Sequence, residues 1–127
     1  EKLKFNPKVK SFEDTDIRKL NYEFFYKKFD IIVCDVSFIS VTKIFSYIID
    51  FAKENSWIII LIKPQFELSK PEIGKNGIVK DRALHLKAIN SVKNFMENIL
   101  NCKIIGLIDS PIKGMKGNKE FLLLLKK

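Results

Sequence analysis

The 127-residue chain has two cysteines, one histidine, and only two arginines among its 23 basic residues. Cys34 and Cys102 each sit inside an apolar stretch, so neither a disulfide framework nor a multi-ligand metal site can be built from them. No apolar run approaches the ~18 residues that span a bilayer, which excludes a transmembrane helix. The first residues, Glu1-Lys2-Leu3-Lys4-Phe5, lack the continuous apolar stretch of a signal peptide. A cytoplasmic location is therefore expected. Internal repeats, linkers and low-complexity tracts are also absent, so the chain reads as one unit.

What is present describes a packed protein, with 46% hydrophobic and 30% charged residues. The 23 Lys and Arg outnumber the 15 Asp and Glu, giving a formal charge of +8. That excess favours an anionic partner such as RNA, through phosphate neutralisation and steering. A lysine-rich composition without functional demand would give the same charge, and charge alone leaves both readings open.

The apolar pattern alternates between strand and helix. Val9 to Phe12 predicts a short strand. Asp30 to Val36 is a continuous apolar run with β-branched residues, the pattern of a strand buried on both faces of a parallel sheet. Val41, Ile44, Phe45, Ile48, Ile49 and Ala52 follow helical spacing. Trp57 to Ile62 predicts a second buried strand, stopped by Lys63-Pro64. A loop with Pro71, Gly74 and Gly77 leads to Asp81, a good N-cap for a helix reaching about Leu100. Lys103 to Ile108 predicts a third core strand, and Phe121 to Leu125 a last one. The fold class expected is α/β, mainly parallel, with the last strand antiparallel to the third because no helix separates them.

In such sheets ligands bind at the carboxyl ends of the parallel strands. Asp35, Lys63 and Asp109 close three of these strands, and Glu120 opens an antiparallel one, so Asp35, Lys63 and Glu120 converge on one edge. A lysine between two carboxylates against an apolar sheet has its protonation tuned for proton transfer or for orientation. Strands also end in polar residues simply because they reach water, and position alone does not decide. The remaining special residues read as structural. His85 is expected at the surface or half-buried, Trp57 as a core anchor at a strand edge, and both cysteines as small buried hydrophobes.

Four peptides add specificity: Asp35-Val36-Ser37-Phe38-Ile39-Ser40, Lys63-Pro64-Gln65-Phe66-Glu67, Gly77-Ile78-Val79-Lys80-Asp81, and Ser110-Pro111-Ile112 through Gly117-Asn118-Lys119-Glu120-Phe121. In this order they resemble the hemolysin A (TlyA) family of FtsJ-like ribosomal RNA methyltransferases. The resemblance spans essentially the whole chain. It implies a Rossmann-like fold, S-adenosylmethionine as cofactor, ribosomal RNA as partner, and methyl transfer to a ribose 2′-hydroxyl. It also implies a Lys-Asp-Lys-Glu tetrad, whose last three members carry over onto Asp35, Lys63 and Glu120. Lys63 would abstract or orient the hydroxyl proton while Asp35 and Glu120 position and tune it. Asp16 and Ile17 are the candidates for the adenine side, with Asp16 equally readable as a helix N-cap. Asp35, Val36 and Ser37 would line the approach to the methyl group.

The family's S4-like domain, first tetrad lysine and glycine-rich cofactor loop have no counterpart in these residues. Residues 1–127 are thus expected to be a partial methyltransferase domain, inactive alone. An open edge along the strand holding Asp35 is expected to drive homo-oligomer formation, unless the residues before Val9 pack over it. A non-catalytic RNA-binding module using the lysine-rich loops is the alternative function. Membrane disruption, which rests on the family's historical name, lacks a stretch with the two faces of a lytic helix.

Overall fold

The computed structural model describes residues 2–127. Its centre is one four-stranded sheet in the order β1-β2-β4-β3, with β1 at Phe29–Cys34, β2 at Ala52–Ile62, β3 at Lys103–Asp109 and β4 at Phe121–Lys126. β1 pairs parallel to β2, and β4 is inserted antiparallel between β2 and β3. Three strands therefore point the same way, although only one ladder is parallel. The expected antiparallel pairing of the last two strands is present.

Helix α1 (Val41–Ile48) connects β1 to β2. The Ser40 hydroxyl accepts from the Thr42 N–H to cap it, and Val41, Ile44, Phe45 and Ile48 form its buried face. After β2 comes a single turn, α2 (Pro64–Glu67), in which Pro64 starts the helix without losing a needed N–H. Helix α3 (Arg82–Asn94) is capped by the Asp81 carboxylate, as the sequence predicted, and continues as a wider π turn over Phe95–Ile99. Both α1 and α3 pack on the face of the sheet that carries Ile58, Ile60, Ile62, Leu123 and Leu125. No helix among the described residues is long and apolar enough to cross a membrane.

Several expectations are corrected. Residues 9–12 form no strand, because no neighbouring backbone offers them a ladder. Phe12 instead packs edge-on against Phe25, which in turn meets Phe29 and Phe51. The strands are not covered on both faces, since both helices lie on one side. The other face leaves Ile31 60% and Val33 70% exposed. Trp57 shares that open side and stands 40% exposed, with the Lys126 ammonium 4.8 Å from its ring centre, so it is no core anchor. Leu3 and Phe5 are exposed and do not fold over β1. His85 is buried, not superficial: its Nε2 lies 2.8 Å from the Val79 carbonyl, and its ring meets Phe121 edge-on. Cys34 and Cys102 are free and buried as expected, and burial pushes the Cys34 thiol up to about 11.

Candidate active site at the carboxyl edge of the sheet

Parallel pairing of β1 with β2 places their carboxyl ends side by side, so Asp35 and Lys63 emerge as neighbours. Lys63 Nζ lies 2.6 Å from Asp35 Oδ1 and donates to Ser37 Oγ at 3.0 Å. The lysine side chain is only 12% exposed while Asp35 remains largely open, so the ammonium is sheltered and its counter-ion faces the solvent side.

Antiparallel pairing sets Ile62 opposite Phe121, so Lys63 follows the last paired residue of β2 and Glu120 precedes the first of β4. Their side chains take different partners. Glu120 is buried and accepts a hydrogen bond from Gln65 Nε2 at 3.0 Å. The carboxylate lies directly over Gly114, where a Cβ would collide with Glu120 Oε2. Any side chain at that position would require the buried Glu120 carboxylate to move.

Two further residues fix the loops that frame this edge. Glu67 reaches back to α1, where its carboxylate accepts from Ser40 Oγ at 2.6 Å and from the Val41 N–H at 2.9 Å. Burial pushes its carboxyl above the usual range, against those two hydrogen bonds. Asn118 ties the two glycine loops together. Its Oδ1 accepts from the Val79 N–H, and its Nδ2 donates to the carbonyls of Gly77 and Met115. Gln65, Glu67 and Asn118 lie inside the peptides singled out from the sequence but carry no role in that reading. A buried amide or acid inside a conspicuous peptide is the signal that would have found them.

The expected adenine-side residues separate. Ile17, Asp35 and Val36 line one cleft of about 400 Å3, together with apolar Ile32, Ile44 and Phe51. Asp16 is instead the N-cap of the short turn Ile17–Lys19 and makes a two-pronged ion pair with Arg18. That guanidinium holds the Asp16 carboxyl down to about 2. Ser37 serves Lys63 and is not part of the cleft wall.

An open α/β sheet with an inserted antiparallel strand, and a lysine–carboxylate pair at its carboxyl edge, defines an α/β protein whose polar site lies where such sheets bind ligands. The chain belongs to the FtsJ-like methyltransferase family, whose sequence profile matches residues 1–127. It is 40% identical over 124 residues to Hemolysin A of Brachyspira hyodysenteriae, covering 95% of this chain and 50% of that protein. It is 32% identical over 124 residues to the 16S/23S rRNA (cytidine-2′-O)-methyltransferase TlyA of Mycobacterium tuberculosis, covering 98% of this chain and 46% of that one. The crystal structure of a hemolysin candidate from Lactococcus lactis superposes with a TM-score of 0.93 at 34% identity, over 99% of this chain and 60% of that one. The chain thus spans about half the length of the curated relatives it matches.

Proposed function

We propose that residues 1–127 are the part of an RNA ribose 2′-O-methyltransferase domain that carries the catalytic edge, with ribosomal RNA as substrate and S-adenosylmethionine as methyl donor. The observation that carries this reading is the sheltered Lys63 ammonium held by Asp35 and Ser37 at the carboxyl end of β2. A phosphate-binding module would instead keep that lysine exposed and free of acids. The relatives named as rRNA 2′-O-methyltransferases support the same reaction class.

The cleft at the end of β1 suits the apolar part of the cofactor, because its lining is mostly apolar, Ile17 and Val36 among it, with Asp35 as its one carboxylate. Asp16 fits less well, since its carboxylate is already engaged by Arg18. S-adenosylmethionine, when bound, supplies an electrophilic methyl group. The chain's own residues do the rest. Lys63 orients the 2′-oxygen by donating to it from the ammonium that Asp35 and Ser37 hold in place, the hydroxyl proton leaves to water as the oxygen takes the methyl group, and Glu120, held by Gln65, stands just before β4 at the same end of the sheet. Much of the acceleration comes from holding the two reactants in line. In this reading the protein acts on the ribosome in the cytoplasm, and no metal is required.

Lys63→Ala in the full-length protein is expected to abolish methyl incorporation into ribosomal RNA, while calorimetric binding of S-adenosylmethionine stays nearly unchanged. Normal transfer by that variant would exclude the lysine from the reaction.

A further inference from the structure

We propose that the groove between α3 and the paired ends of β3 and β4 binds a single-stranded RNA segment that flanks the reacting nucleotide. The inference rests on the methyltransferase reading above and adds the path of its substrate. The groove encloses about 520 Å3, within the range of small-ligand sites, and lies apart from the cleft beside β1. Lys80, Arg82 and Lys119 stand around it, above a floor of His85, Ile89 and Phe121. Leu86, 47% exposed, and Leu107, 37% exposed, form an open apolar wall.

Charge decides the occupant. Asp109 is the one acid in the lining, and Lys119 already neutralises it at 2.9 Å while sitting over the Phe121 ring. Among the described residues Lys80 and Arg82 have no ion-pair or side-chain hydrogen-bond partner, so two cations are left unspent beside an apolar wall. Phosphodiester oxygens complement the cations, and a ribose or base edge complements the leucines. Lys119 and Phe121, which line the groove, are the chain neighbours of Glu120, so the groove adjoins that residue along the chain. This also gives a task to the Gly77-Ile78-Val79-Lys80-Asp81 peptide, which the proposed chemistry does not use. Asn118 holds Gly77 and Val79, and so the backbone leading to Lys80, against the loop that leads to Glu120.

The test is fluorescence anisotropy of a labelled 12-nucleotide RNA titrated with the full-length protein at several salt concentrations. The Lys80→Glu/Arg82→Glu double variant is expected to bind at least tenfold more weakly, with a salt slope shallower by about 2, one for each lost phosphate contact. Lys93→Glu/Lys103→Glu, an equal charge change at the far ends of α3 and β3, is expected to stay within about threefold of the parent, as local contacts fall off with screening. Leu86→Ser is expected to weaken binding without changing the slope. Thermal unfolding confirms that each variant is folded. Equal losses in the two double variants, or no loss in the groove variant, would overturn the proposal. Methylation assays on the same proteins separate the two readings. A parent protein that binds RNA through the groove but methylates no ribose refutes the catalytic reading alone. A parent that methylates ribose, with a groove variant equal to it in binding, refutes the groove alone.

Discussion

Glu120 occupies a spot that exists because residue 114 has no side chain, and this coupling is the sharpest consequence at the scale of single residues. Gly114→Ala would drive a methyl group into the Glu120 carboxylate. Overpacking of this kind costs about 1–3 kcal/mol, so the variant is expected to unfold at lower urea and to lose methyl transfer in the full-length protein. In a Glu120→Ala background the added methyl finds room, and Gly114→Ala is then expected to cost little more than Glu120→Ala alone. An unchanged penalty in the double variant would place the strain elsewhere. The pairing of Asp35 with Lys63 was legible because strand ends are readable from apolar runs and parallel strands deliver their ends to one edge, whereas the side-chain partner of Glu120 is Gln65. Gln65 was not, because its partner is fifty-five positions away and only the folded register brings the two together. Asp16 was legible as a cap, and Arg18 is what occupies its carboxylate.

At the scale of elements, the one-turn α2 acts as a brace for α1. Glu67 supplies the acceptor for the Val41 N–H, one of the orphan donors that every helix start leaves open. Glu67→Ala removes that partner and the Ser40 contact, and is expected to cost about 1–2 kcal/mol in urea unfolding. The acid also leaves a pH signature. Burial raises its folded value above the unfolded one, so between the two values the folded chain holds the extra proton. Stability therefore falls as pH rises through that window, from the ordinary carboxylate value up to the raised one, and levels off above it. Glu67→Gln is expected to lack this step in urea midpoints measured between pH 4 and 8, and persistence of the step would assign it to another group. The four sheet strands and the two longer helices were readable from the sequence, whereas the strand expected at residues 9–12 does not form and the brace was not legible. Lys63-Pro64-Gln65-Phe66-Glu67 reads as a strand stop followed by loop, and a single turn has no apolar period to reveal it.

At the scale of the whole molecule, the bare face of the sheet and the free edge of β1 form one continuous apolar surface. The apolar runs of β1 and β2 read correctly as strands but not as strands buried on both faces, because a run of that kind does not say whether one face or both will be covered, and here α1 and α3 take the same side. Ile31 and Val33 are left open on β1, next to the partly exposed Ile59, with the strand's outer hydrogen-bonding edge unpaired. An edge of this composition is a template for another strand, and it carries no proline or lysine between Ile31 and Cys34 to discourage one. The chain of 127 residues is therefore expected to self-associate, with a mass by light scattering that rises with concentration. Val33→Lys puts a charge in the middle of that surface without touching the α1 side of the sheet. It is expected to shift the mass towards one chain while leaving the urea midpoint within about 0.5 kcal/mol, as for other exposed positions. A parent chain that stays a single monodisperse species at every concentration would mean that the apolar face tolerates water, and the open edge would then lose its meaning as an interface.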